Sequence, residues 1–253
     1  MSPVEAVAIV LAGLAAGTVN TIVGSGSLVT FPTLLFFGYP PLVANVSNTV
    51  GLVPGSISGA VGYRRELAGQ RGRAIPLAIA ALLGGLTGGI LLLVLPAAAF
   101  ARIVPVLILV ACGLVVIQPR VSRTLVARRG SAVRPQHGGP LLLATVYATG
   151  IYGGYFGAAQ GVILVALLSI FLSDDLQRLN ALKNVLAAVI NGVAAILFIA
   201  VAPVAWAPAA LLAVGSIVGG QVGARIGRRL PPTVLRAVIV VVGVVVAVKM
   251  LAG

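Results

Sequence analysis

Ten apolar runs dominate the sequence, most of them near the length of a bilayer crossing and separated by short polar or basic stretches. A helix rises about 1.5 Å per residue and needs about 20 apolar residues to cross the hydrocarbon core. Hydropathy places the runs at approximately 4–23, 27–38, 42–63, 74–95, 101–118, 140–156, 159–172, 180–201, 204–226 and 233–251. Only 8% of residues are charged and 60% are hydrophobic, whereas a water-facing surface needs roughly a quarter of its residues charged. The spacing therefore predicts an all-α polytopic membrane protein of about eight to ten membrane segments, with the lipid bilayer as its first partner and no separate soluble domain. No Lys or Arg precedes the first run and no clear cleavage site follows it, so that run is read as part of the mature fold.

The net charge of +13 would suggest nucleic acid in a soluble chain. Here the basic residues gather mostly in three short loops, as expected for loops facing the cytoplasm, and no nucleic-acid partner is expected. Attraction of anionic lipid or of an anionic substrate is the alternative use of that charge. The single cysteine, Cys112, rules out an intrachain disulfide or a cysteine metal cluster and reads as a small packing residue. No metal site and no cofactor is expected.

A polar linker, 119–139, holds Arg120, Arg123, Arg128, Arg129, Arg134 and the only histidine, His137. It separates a first membrane repeat, 1–118, from a second, 140–253, within one integrated transmembrane domain. The halves echo each other in order. AGTVNTIVGSG (16–26) matches TGIYGGYFGAA (149–159), and ANVSN (44–48) matches NALKN (180–184). LLGGLTGGILL (82–92) matches VGSIVGGQVGA (214–224), and the segments after LP at 95 and 230 match, with Arg102 answering Arg236. The basic groups Arg64, Arg65, Arg71, Arg73, then the linker, then Arg178 with Lys183, then Arg225, Arg228, Arg229 all reach the cytoplasm only if GYPP (38–41) lies outside and its counterpart SDDLQR (173–178) inside. The two repeats are thus expected to be inverted, each a broken-helix hairpin plus three transmembrane helices, with both termini outside the cytoplasm. Inverted repeats have two nearly equivalent packings whose exchange exposes a central site to each side in turn.

NTIVGSGSLVTFP (20–32) interrupts the first apolar stretch and leaves a following run too short to cross; GIYGGYFGAAQG (150–161) does the same in the second half. Irregular backbone at membrane depth survives only buried in protein or lining a cavity. Paired interruptions in corresponding places point to a transporter's binding site. Helices starting near Ser25 or Ala159 are expected to aim free amides and a partial positive charge at an anion. The candidate substrate-binding residues are Asn20, Thr21, Gly24, Ser25, Gly26, Ser27 and Asn48 in the first half. Gly153, Gly154, Gly157, Gln160, Gly161, Lys183 and Asn184 complete the set in the second. Asn191 adds a further carboxamide on an adjoining span.

The four carboxylates, Glu5, Glu66, Asp174 and Asp175, fall at span ends or loops. A cation site or a carboxylate proton relay would place one at mid-membrane. Competing structural roles stand beside the functional ones. Glycines in LLGGLTGGILL and VGSIVGGQVGA suit close helix packing, and Asn48 and Asn184 suit either helix–helix hydrogen bonding or substrate contact. Lys183 suits either snorkelling to the cytoplasmic surface or charge pairing with an anion. Arg102 and Arg236 read as interfacial anchors. Tyr147, Tyr152, Tyr155 and Phe156 suit either the path lining or aromatic packing.

On these residues the chain resembles the sulfite exporter TauE/SafE family, also called the toluene sulfonate uptake permease family. The resemblance rests on the glycine-bearing hairpin ending in FPTLLFFGYPP (31–41), AN-x-SNT (44–49) leading to Gly51, Gly55 and Gly59, the GGLTGG element, LP…R before the last span of each half, and the degenerate second copy. The family's glycine run is replaced by GSGS in the first hairpin and GAAQG in the second. The resemblance implies a multi-pass plasma (inner) membrane permease for a sulfur-containing anion such as sulfite or an organosulfonate.

The expected function is a secondary transporter moving a small anion by alternating access, not an enzyme. No GxxxxGK[ST] occurs, so drive comes from an ion gradient, the membrane potential or an accessory subunit, and a homo-oligomer stays open. A passive anion channel with a glycine-lined constriction is the alternative. An intramembrane enzyme is the third, against which stand the absence of a buried acidic pair and of a metal-ligand cluster.

Overall fold

A computed structural model describes residues 1–127 and 139–226 and, beyond them, residues 240, 241, 244, 245, 247, 248 and 250. The described residues form helices α1 (Pro3–Ile22), α2 (Ser27–Phe36), α3 (Pro41–Gly62), α4 (Arg71–Val94), α5 (Ala97–Ala127), α6 (Gly139–Tyr155), α7 (Gln160–Phe171), α8 (Leu176–Val201) and α9 (Trp206–Ile226). Five helices are long and apolar enough to cross a membrane, and α2 and α7 are apolar but short. Helix α5 continues to Ala127, past the expected boundary at 119. Arg128, Arg129, Arg134 and His137 of the linker, and Arg228, Arg229 and Arg236, lie outside the described residues.

The exterior is as apolar as the core. Val4, Leu11, Ile75, Val94, Ile196 and Val214 are all exposed, which suits a chain whose solvent is lipid. Polar side chains turn inward instead: Asn45, Ser47, Asn48 and Ser56 of α3 and Asn180, Lys183, Asn184 and Asn191 of α8 are buried. Packing between helices in lipid gains little from hydrophobicity and depends on close backbone approach. Here glycine supplies it. Helix α1 packs on α9 and α4 on α6, while α3 and α8 pack on each other and on α9 and α4 respectively.

A Cβ on Gly84 or Gly88 would strike the carbonyls of Tyr147 and Ile151, and one on Gly219 or Gly223 those of Leu14 and Thr18. Gly84 and Gly219 thus make the same kind of contact, in LLGGLTGG (82–89) and IVGGQVGA (217–224), a register three residues from the sequence pairing with 214–224. Residues facing a common partner set this register, and small-residue spacing alone fits several.

Each short helix folds back beside its predecessor. Ser2 and Glu5 close a reciprocal cap at the start of α1, and Glu5 also accepts from the Tyr39 hydroxyl at 3.0 Å. The start of α1 and the end of α2 thus share one end of the bundle. At the other end of α3, which is about 33 Å away for 22 residues, the connection to α4 meets the connection from α7 to α8. Gln70 Nε2 donates to the Arg178 carbonyl at 3.0 Å, and Asp174 pairs with Arg73 and, at 2.9 Å, with Arg178. Burial opposes ionisation of Asp174, but the two arginines and its own neighbour's amide outweigh it and hold the carboxyl below the ordinary carboxylate range.

Candidate functional site

Both breaks are built on the same helix ending. The amides of Val23 and Gly24 converge on the Val19 carbonyl at 2.7 and 3.0 Å, and those of Phe156 and Gly157 on the Tyr152 carbonyl at 2.9 and 3.1 Å. Gly24 has φ +87° and Gly157 φ +75°, the left-handed turn that glycine ends a helix with. The next helices then start at Ser27 and Gln160, each three residues after its glycine.

The two turns touch. The Gly161 amide donates to the Gly24 carbonyl at 3.1 Å, and a Cβ on either glycine would overlap the other's backbone. Two interruptions from the two halves of the chain therefore meet at the middle of the bundle, with no side chain between them.

Breaking α1 leaves its last carbonyls without helical partners. Helix α8 supplies them with donors from one face. Asn180 Nδ2, Lys183 Nζ and Asn184 Nδ2 reach the Thr21 carbonyl at 3.1, 3.2 and 3.4 Å, and Lys183 Nζ also reaches the Asn20 carbonyl at 2.8 Å. Amine and amide donors at a helix C-terminus supply the hydrogen bonds that its last carbonyls lack. Lys183 is 0% exposed. It does not snorkel; the broken end of α1 holds its amine inside.

The first turn of α2 is less bare than expected. Asn20 Oδ1 accepts the Gly26 amide at 2.9 Å, so Asn20 caps the break and takes up an amide that an anion would need. Together with the Gly161 amide given to Gly24, this withdraws two of the amides expected to face an anion. Side chains remain. Asn48 Nδ2 donates to Ser27 Oγ at 3.3 Å and its Oδ1 accepts from Thr30; Gln160 Nε2 donates to Asn191 Oδ1 at 2.9 Å. Buried without any hydrogen-bond partner are Ser25 Oγ, Gln160 Oε1, Asn45 Oδ1 and Asn180 Oδ1. Such atoms cost about 1–3 kcal/mol each in isolation. Ser25 at 1% exposure and Gln160 at 4% adjoin the touching glycines, and the Lys183 side chain packs on Gly161; these are the buried polar cluster of the turns.

Three expected members, Gly154, Gly153 and Thr21, make other contacts. Gly154 faces the Gly85 carbonyl and serves the α4–α6 contact. Gly153 has no room for a Cβ because Gln160 Oε1 occupies it, so it makes space for the Gln160 side chain. Thr21 turns its hydroxyl back to the Gly17 carbonyl at 2.9 Å and contributes its main chain. Tyr147 is half-exposed and pairs its hydroxyl with Thr87 at 3.2 Å, away from the cluster. Phe156 packs edge-on to Phe31, with ring centroids 5.4 Å apart.

Asn180, Asn45 and Thr30 were not among the expected site residues. Asn180 lies three and four residues before Lys183 and Asn184, one helical face, and that spacing in NALKN could have revealed it. No group of three or more His, Cys, Asp or Glu side chains able to hold a metal ion occurs among the described residues.

Two adjoining cavities, of about 430 and 350 Å³, open between α3 and α8 near the basic 63–70 connection and share Arg64, Leu67 and Val185. Neither is lined by the hairpin turns.

Comparison with known proteins is consistent over almost the whole length. The family described as "Sulfite exporter TauE/SafE" matches residues 9–250. The "Probable membrane transporter protein YfcA" of Escherichia coli K12 is 26% identical over 252 residues, covering 99% of this chain and 91% of that protein. A "Probable membrane transporter protein" of Haemophilus influenzae is 27% identical over 209 residues, 82% of this chain and 79% of that protein. The "Probable membrane transporter protein ORF9" of a Sinorhizobium species is 24% identical over 242 residues, 96% of this chain and 90% of that protein. No solved structure matches the chain. With interrupted hairpins meeting inside a bundle of membrane-length helices, and a family match spanning both halves, the chain belongs to the sulfite exporter TauE/SafE family of membrane transporters.

Proposed function

We propose that the protein is a secondary transporter that carries a small, sulfur-containing anion such as sulfite or an organosulfonate across the plasma membrane by alternating access. The observation that carries the reading is the set of buried polar side chains at the touching hairpin turns. Ser25 Oγ and Gln160 Oε1, on the neighbours of Gly24 and Gly161, are buried and unpartnered, and Lys183, packed on Gly161, has no carboxylate partner among its hydrogen bonds. A small anion accepts hydrogen bonds from Ser25, from the Gln160 and Asn184 amides after rotation, and from the amine. Sulfur oxyanions suit that set because they present several acceptor oxygens at one end. The family description, sulfite exporter, agrees with the class.

Alternating access follows from inverted repeats. Support comes from the packing, in which α1 on α9 answers α6 on α4 and α3 on α9 answers α8 on α4, and from hairpins whose ends sit at opposite ends of α3. Domains 1–118 and 140–253 are then the two moving units, 119–139 a cytoplasmic linker, and both termini lie outside the cytoplasm. The buried state of the turns suits a carrier with the site closed to both sides better than an open channel.

A thermal-shift screen of the purified protein against sulfite, thiosulfate, taurine, sulfonates and carboxylate controls tests the reading, followed by countertransport of any hit in vesicles. A sulfur oxyanion should stabilise the protein and exchange label against a gradient. Stabilisation by none, or flux without exchange, contradicts it.

A further inference from the structure

Among the described residues, Lys183 has no ionised partner. Its side chain is fully buried, and its Nζ donates to two main-chain oxygens, of Asn20 and Thr21. The four side-chain carboxylates of the chain are engaged at the two ends of the bundle. Glu5 binds Tyr39, Asp174 pairs with Arg73 and Arg178, Asp175 caps α8, and Glu66 lies in the connection after α3.

The elements packed against α8 add no counter-charge. Helices α3 and α7 contain no ionisable side chain, α1 has only Glu5, and α4 has only Arg71 and Arg73 at its start. Helix α6 brings Tyr147, Tyr152 and Tyr155, of which Tyr152 donates to the Ala158 carbonyl at 2.6 Å and Tyr147 pairs with Thr87. Tyr63 is buried against Ala181, on the turn before Lys183, and Arg225 stands in the last turn of α9.

The acceptor count points the same way. An ammonium offers three N–H donors and a neutral amine two. Two carbonyls match the neutral form, and burying a full charge without a counter-ion is strongly unfavourable. A bound anion changes both terms, supplying a counter-charge and a third acceptor.

We propose that Lys183 is the proton carrier that couples anion movement to the proton gradient. In the empty, closed site the amine is neutral. As the anion enters, Nζ takes one proton from the water on the open side, R–NH2 + H⁺ giving R–NH3⁺, with no bond formed to the anion; the reverse occurs when the anion leaves on the other side. Each anion therefore crosses with one proton, and a monovalent anion crosses with no net charge. The proposal rests on the anion site at the hairpin turns set out above.

The two ideas fail differently in one experiment. Thiosulfate and methanesulfonate, anions of strong acids, keep a constant charge over about pH 5 to 9, so proton uptake in that range belongs to the protein. Each is titrated into the full-length protein by calorimetry in two buffers of different ionisation heat, with sulfite as a third probe. Coupling predicts about one proton taken up per anion. It also predicts an apparent affinity rising up to tenfold per unit fall in pH, because proton and anion strengthen each other's binding by the same factor.

Lys183→Met should bind weakly, without proton uptake and with a flat pH profile. Lys183→Arg keeps donors and a permanent charge, so it covers the case in which the Met variant fails to fold; it should also bind without proton uptake. Wild-type binding with no proton uptake overturns the coupling and leaves the anion site standing. Proton uptake that persists in Lys183→Arg overturns the assignment to Lys183. Binding of none of the three anions at any pH overturns the site and the coupling together.

Discussion

The two hairpins share a turn and differ in how they finish it. In the first, Asn20 stands six residues before Gly26 and caps its amide, and serine and glycine fill the break. In the second, the position matching Asn20 is Gly153, and the space so released takes the Gln160 side chain, which bonds to Asn191 on α8. There the residue before the helix is Ala159 at φ +57°, a left-handed conformation costing a non-glycine residue roughly 1 kcal/mol. The first break is thus closed by its own chain and the second by its neighbour. Sidedness follows from this: Lys183, Asn184 and Asn180 all come from α8, next to the second hairpin, and bond to the end of α1 in the first. The second half holds the first.

Substitutions at the meeting point should have the largest effects. Gly24 and Gly38 both have positive φ, +87° and +85°, but Gly38 has open space and Gly24 has Gly161 against it. Gly38→Ala should cost about 1 kcal/mol, the conformational strain alone. Gly24→Ala should cost about 3 kcal/mol or more and abolish transport, since backbone must move to admit the methyl. Thermal unfolding of the two purified variants reads the difference, and equal losses would mean that the turns do not touch.

Next come the two unpartnered side chains. Ser25→Leu and Gln160→Leu should each remove the stabilisation by added anion while leaving membrane insertion intact, as read by thermal shift and by fractionation. Loss in only one would assign the ligand to one hairpin. Caps come third: Asn20→Ala should cost about 1 kcal/mol, as capping side chains do, and Asn191→Ala less, because Gln160 can then turn its amide elsewhere.

The smallest effect is expected at the Asp174 cluster. Its carboxyl is held below the ordinary range, so its ion pairs stabilise where a free carboxyl is ionised and that share is lost as pH falls through the lowered value. Asp174→Asn should cost about 1 kcal/mol or less near neutrality. It should also flatten the acid side of the stability profile measured by thermal unfolding against pH.

Much of this architecture was legible before any coordinates. Apart from α5, which runs on to Ala127, the described helix bounds follow the apolar runs closely because the hydrocarbon core demands apolar side chains along each helix within it. The hairpin pairing of Gly24 with Gly157 was visible because both turns need a left-handed residue at the same place. What was hidden depends on contacts between segments far apart in sequence. Lys183 near the start of a span looks like a snorkelling residue, and only the carbonyls of Asn20 and Thr21, more than 160 residues away, turn it inward. Gly26 and Gly161 likewise promise free amides until Asn20 and Gly24 are seen to accept them. Small-residue spacing at 214–224 fits more than one register against 82–92 because such patterns repeat within themselves.

The central claim is that an anion binds where the two turns meet. An experimental structure of the protein with thiosulfate or sulfite tests it most directly. The account predicts anion density within hydrogen-bond distance of Ser25 Oγ, the Gln160 side chain and Lys183 Nζ, with Gly24 and Gly161 near the bilayer midplane. Turns lying at the lipid headgroups, or the anion bound instead at Arg64 between α3 and α8, would contradict it.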